Sequence, residues 1–224
     1  NLNGNYTPSR VTSQWKSTPM DQRGTNMANH VNAWIEMDGN EAAQKIFAQL
    51  MQQIEAKRRQ YDYGDVRPIS SVLFGEAEAI HHDDKRLGGA KWVFVEDADD
   101  QQLSICSGWD PAFGVGAEIF KRLLAVDPKV SVWMTFEDEN PNFVGASVWT
   151  LVDGNVVRND SWEDTCDEEF VDQMELDDMD EDEAQECKTW DDKGEMISEC
   201  LKAAREGLLT GEYQDFMIEY RGGY

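Results

Sequence analysis

The sequence predicts an α+β protein: a ferredoxin-like split βαβ sheet, in the order β-α-β-β-α-β with an added hairpin, followed by an acidic, mainly helical C-terminal extension. Three observations carry this expectation. Apolar residues alternate with period two over 31–37 and 130–136, and stripes of helical spacing occupy 43–54 and 119–124. Asp153-Gly154 separates two further strand-like runs, and both positions of such a two-residue turn need positive φ.

The elements follow in order. Residues 1–26 are polar and set Arg10, Lys16 and Arg23 against Asp21, the composition of a flexible arm. Val31, Ala33, Ile35 and Met37 alternate with Asn32, Trp34 and Glu36, the pattern of a half-buried strand. Ala43, Ile46, Phe47, Leu50 and Ile54 share a helical face, and Lys57, Arg58 and Arg59 suit its C-terminus. A loop-rich stretch over 64–89 leads to 92–96 and 103–107, a hairpin around the polar turn at 97–100. Asp110-Pro111 marks a helix start, with Ile119, Phe120, Leu123 and Leu124 as its apolar stripe. A strand with Val130, Val132, Met134 and Phe136 comes next, then one over 143–152, and Val156 and Val157 return after the turn. The domain is thus expected over 27–160 and the extension over 161–224. In the extension, Trp162, Cys166, Phe170 and Met174 keep a four-residue spacing, and Ser161 with Asp164 resembles a capping pair, so a helix is expected. Met196, Ile197, Cys200, Leu201, Ala204 and Leu208 form a second stripe, ended by Gly207 or Gly211.

Within 27–160, Trp109-Asp110-Pro111, Phe136-Glu137-Asp138-Glu139-Asn140-Pro141 and Phe143-Val144-Gly145 resemble the YubB-type ferredoxin-like domain family, as does the opening 27–34. The resemblance implies the split βαβ fold and a plasmid or phage origin. It implies no activity and no catalytic residue.

Composition narrows the function. The chain has 224 residues, 45 acids and 20 bases, for a formal charge of −25, while 40% hydrophobic residues supply a core. Such a charge opposes binding to DNA, RNA or an anionic membrane, where lysines and arginines neutralise phosphates. No apolar run approaches the roughly 20 residues that span a bilayer, so a cytoplasmic protein is expected. Cys106, Cys166, Cys187 and Cys200 lack CxxC spacing and read as reduced thiols.

Candidate chemistry is sparse. His81-His82-Asp83-Asp84 groups metal-ligating side chains, but adjacent residues seldom converge on one ion, and a solvated loop is the preferred reading. Asp178, Asp180 and Asp182 open like a calcium loop, yet Glu183 stands where glycine belongs and Thr189 where glutamate belongs. Gly114-Val115-Gly116 lacks the third glycine of a dinucleotide fingerprint. Glu137 and Glu139 pair carboxylates only as any chain this acidic does by chance. No catalytic residue, cofactor or metal is assigned, and the chain is expected not to be an enzyme.

The outstanding feature is the run 163–199, which holds 18 acids and two bases, Lys188 and Lys193. The residues expected to bind a partner are Glu163, Asp164, Asp167, Glu168, Glu169, Asp172, Glu175, Asp177, Asp178, Asp180, Glu181, Asp182, Glu183 and Glu186. On one continuous helix at roughly 1.5 Å per residue they would approach the roughly 3.4 Å charge spacing of a DNA strand. The expected function is a phage- or plasmid-encoded, non-enzymatic inhibitor or anti-defence protein of DNA-mimic type, engaging the basic surface of a nucleic-acid-binding host protein. The alternatives are a virion or assembly component, homo-oligomeric through residues 1–26, and a metal-assisted enzyme at His81, His82 and Asp83. A solvated run that only confers solubility is the bland reading.

Overall fold

The computed structural model describes residues 29–76, 85–139, 142–165, 169–179 and 187–211. Six strands form one sheet: β1 (His30–Asp38), β2 (Lys91–Ala98), β3 (Leu103–Gly108), β4 (Ser131–Asp138), β5 (Phe143–Val152) and β6 (Asn155–Asp164). Their order is β2-β3-β1-β4-β5-β6, and every neighbouring pair is antiparallel. The chain is therefore a mixed α+β protein built on an antiparallel sheet.

Alternation assigns the faces. Val31, Ala33 and Ile35 of β1 and Val132, Met134 and Phe136 of β4 point inward, where α1 (Glu41–Arg58) and α3 (Phe113–Leu124) cover them. Phe47, Met51 and Ile54 of α1 and Ile119, Phe120 and Leu123 of α3 complete this core. The crossover from β1 is fixed by two side chains. Asn40 Oδ1 accepts from Ala43 N at 3.0 Å and caps α1, while Asn40 N donates to Asp127 Oδ2 at 2.6 Å. Asp127 Oδ1 also accepts from Lys129 N at 2.9 Å.

The two backbone N–H groups, from Asn40 first and Lys129 second, hold the Asp127 carboxylate below its ordinary 3.8. A depressed carboxylate stabilises the fold at any pH above 3.8 and loses that contribution as pH falls through its folded value. Thermal unfolding followed from about pH 5 down to pH 2 should show an acid limb that Asp127→Asn flattens. An unchanged limb would place the acid sensitivity elsewhere.

The 64–89 stretch contains a helix that the sequence did not announce: α2 (Arg67–Leu73), with Pro68 in its first turn and Ile69 and Leu73 buried. Seven residues are too few for a periodic stripe. The chain then makes a 3₁₀ turn at Lys85–Leu87 that packs on the start of α3. Helix α3 begins at Phe113, two residues past Pro111, and β6 reaches Asp164, well beyond Val157.

The extension differs from expectation. Trp162 belongs to β6, as do Ser161 and Asp164, and Phe170 lies in the three-residue strand β7 (Glu169–Val171). The four-residue spacing of Trp162, Phe170 and Met174 is thus not one helix, because the pairing of β6 with β5 runs through Asp164 and claims this backbone. Strand β7 pairs in parallel with β8 (Cys187–Thr189), α4 (Gln173–Asp178) is six residues long, and the long helix is α5 (Trp190–Thr210). Thr189 caps α5 in a reciprocal pair with Asp192, and Gly211, at φ 79°, ends it.

Helix α5 lies on the face of the sheet opposite α1 and α3, over β4, β5 and β6. Its buried stripe is Met196, Cys200 and Ala204. Lys193 Nζ is 2.8 Å from Glu137 Oε2, Asn159 Nδ2 donates to Ala204 O at 2.8 Å, and Arg205 stacks over Trp133 at 4.5 Å. Glu137 and Trp133 alternate with the inward residues of β4, which is why one strand serves both layers. No helix among the described residues is long and apolar enough to cross a membrane.

Candidate functional site

The expected partner-binding residues that are described fall into three groups. Glu163 and Asp164 close β6, opposite Val144 and Phe143, and both are exposed. Asp172, Glu175 and Asp177 are exposed on and before α4, where Asp172 and Glu175 form a capping box. Glu169 and Asp178 lie in β7 and at the end of α4. Asp167, Glu168, Asp180, Glu181, Asp182, Glu183 and Glu186 lie outside the described residues, as do residues 1–26, Cys166, and the whole group His81, His82, Asp83 and Asp84.

The described part of the run is consequently divided among the end of β6, β7, α4, β8 and the first half of α5. A single axis with a carboxylate at each DNA-like step is not formed. What the fold creates instead is an acidic rim where β6 and α5 approach each other. The Cys200 thiol of α5 is pushed up first by burial and next by the Glu163 charge, with Ser161 hydrogen bonding against the shift. Glu195 and Glu199 are exposed on the same helix, and Lys193, one of the two bases in the run, is drawn inward to Glu137.

The half of this outer face formed by β2, β3 and β1 carries a second group, which sequence reasoning missed. The register places Asn32, Trp34 and Glu36 of β1 beside Cys106 and Ser104 of β3, and Phe94 of β2 beside Cys106. Two register shifts in β2 turn extra side chains to this side. Trp92, at φ 49°, lies over Gly108, where an added Cβ would come within 2.6 Å of the indole. Tyr63 reaches the face from beyond α1 and meets Phe94 edge-on at 5.1 Å. Trp109, at φ 75°, stands at the same end, with Lys91 Nζ 5.9 Å from its ring centroid.

Carboxylates flank these rings. Glu36 accepts from Trp133 Nε1 at 2.9 Å and Gln102 Nε2 at 2.8 Å, and Glu96 accepts from Ser104 Oγ at 3.2 Å. Glu139 lies 3.6 Å from His30 Nδ1. Cys106, between them, is pushed up to about 11 by burial first, then by the charges of Glu96 and Glu139. Such a thiol is protonated at neutral pH and is no nucleophile. Behind Trp109, Asp110 is raised by burial, with Lys91 pulling it back. Asp138 is raised by burial even though it accepts from Asn142 Nδ2, Glu139 N and Asn29 Nδ2.

The only early sign of this surface was the alternation that put Trp34 and Glu36 on the outer side of β1. Tyr63, Trp92 and Trp109 had no periodic signal, because a loop, a bulge and a turn place them. No group of three or more His, Cys, Asp or Glu residues arranged to hold a metal ion occurs among the described residues. No family model, curated protein or solved structure matches the chain.

Proposed function

We propose that this chain is a non-enzymatic binding protein whose acidic surface engages a basic protein, of the kind that otherwise binds nucleic acid. One observation carries the reading: the run 163–199 holds 18 acids against two bases, and its described members Glu163, Asp164, Asp172, Glu175 and Asp177 are all exposed. Charge of one sign concentrated in one segment of the chain steers a basic partner and accelerates its association. Inhibition by occupying a basic cleft requires this concentration of charge, and not the regular spacing of phosphates along one helix. The strand order β2-β3-β1-β4, with α1 and α3 on one face, supports reading the core as a ferredoxin-like split βαβ unit to which β5, β6 and the acidic segment are added. A mobile-element origin rests on the YubB-type resemblance alone.

The test uses a purified small basic DNA-binding protein as probe, titrated at low salt and at about 1 M, where the Debye length is about 3 Å. Binding should weaken about tenfold or more in high salt. It should weaken similarly at low salt when Asp172, Glu175, Asp177, Asp178, Asp180, Glu181, Asp182 and Glu183 are changed to Asn or Gln. Affinity indifferent to both changes would sink the proposal.

A further inference from the structure

Helix α5 covers β4, β5 and β6, and among the described residues leaves the outer side of β2, β3 and β1 with three exposed aromatic side chains, Tyr63 (78% exposed), Trp92 (52%) and Trp109 (40%). We propose that this uncovered half-face docks an extended, arginine- or lysine-bearing segment of the partner, with its cationic heads on Glu96 and Glu139 and its side-chain stems across Trp92 and Tyr63. The proposal rests on the reading of the chain as a binder of basic proteins and names a second contact surface beside the acidic run.

Charge complementarity identifies the occupant. Glu36 and Glu96 are held by neutral donors, and Glu139 lies 3.6 Å from His30; no lysine or arginine pairs with any of the three among the described residues. Three carboxylates without a lysine or arginine partner among the described residues, interleaved with aromatic faces, suit guanidinium and ammonium groups, which stack on a ring while pairing with an acid. The Lys91–Trp109 contact is a small intramolecular instance of it. Burial of Trp and Tyr, ringed by polar groups, is also the composition of energetically dominant interface residues. Trp92 and Trp109 are held at positive φ, a strained conformation that persists only where the surroundings impose it. The edge of β2 is interrupted by two register shifts, so it offers no continuous ladder for strand addition, and side chains make the recognition.

A fluorescein-labelled octapeptide of alternating arginine and serine is the probe, read by fluorescence anisotropy against the full chain. The paired change Trp92→Ser with Glu96→Gln, and separately the exposed Glu139→Gln, should weaken binding, the former by about tenfold, which is about 1.4 kcal/mol. Asp172→Asn, Glu175→Gln and Asp177→Asn together should change it less than about twofold. Circular dichroism and the unfolding midpoint of each variant verify that the fold is kept. The reverse pattern, with loss in the α4 variants and none in the face variants, overturns this docking site while leaving the basic-partner reading intact. Absence of peptide binding by the unaltered chain, when the basic DNA-binding protein still binds, overturns it equally. If sedimentation shows a dimer that Trp92→Ser dissolves, or deletion of residues 1–28 tightens peptide binding, the face belongs to a second copy or to the chain's own N-terminal segment, and the assignment to a partner fails.

Discussion

Gly114→Ala is expected to be the most damaging methyl group that can be added to the described part of this protein. A Cβ at Gly114 would lie 1.7 Å from Arg86 O and within 3 Å of two further backbone carbons of the 3₁₀ turn. Backbone cannot rotate aside as a long side chain can, so the turn must leave α3 and take the buried Leu87 with it. Overpacking of this kind costs about 3 kcal/mol or more. Urea unfolding should show a much lower midpoint, and tighter hydrogen-exchange protection at α3 than at 85–90. Gly194→Ala supplies the contrast. That glycine is exposed within α5 and its added Cβ would meet nothing within 4 Å, so the same substitution should stabilise by about 0.5–1 kcal/mol through the unfolded chain's lost freedom. Equal effects at the two positions would contradict the close approach of the 3₁₀ turn to α3.

Trp149 yields the second large effect. It is fully buried on the inner side of β5, and its Nε1 has no hydrogen-bond partner among the described residues. Trp149→Ala leaves a cavity against α3 and should cost about 3–5 kcal/mol. Trp149→Phe is expected to cost far less than its lost volume suggests, because it also removes a buried donor whose desolvation is worth about 1–3 kcal/mol. The indole lies directly over Gly116, whose added Cβ would be 2.7 Å from Trp149 Cη2. Gly116→Ala should therefore be destabilising alone and much less so beside Trp149→Phe, a coupling that a double-mutant cycle measures. Additive effects would mean that the two residues do not compete for the same space.

Much of the core was legible because it depends on local periodicity. The outward Trp34 and Glu36 of β1, the stripe of α1 and the Asp153-Gly154 turn each announce themselves within a few residues. The strand order does not, since it arises from the pairing of β1 with both β3 and β4, which are more than 60 residues away along the chain. In the extension the misleading signal was a real one. Phe170 does meet an apolar neighbour, stacking on Trp190 at 5.7 Å, whereas Trp162 stays about half exposed, and strand pairing, not a helical face, places both. Long-range pairing overrode a local pattern. The aromatic half-face was illegible for a related reason: Tyr63, Trp92 and Trp109 come from a loop, a bulge and a strained turn, and only the folded chain brings them to Cys106 and Glu96.

Any open sheet leaves two lateral strands whose unpaired amides and carbonyls invite a neighbour's strand. Here those strands are β2 and β6, and each is blunted differently. Strand β2 is twisted out of register twice, while β6 ends in Glu163 and Asp164 beside a densely acidic segment. Copies of this protein approaching edge to edge would meet like charge on one flank and a broken ladder on the other, so the carboxylates proposed to attract a cationic protein would also oppose joining of the chain into fibrils.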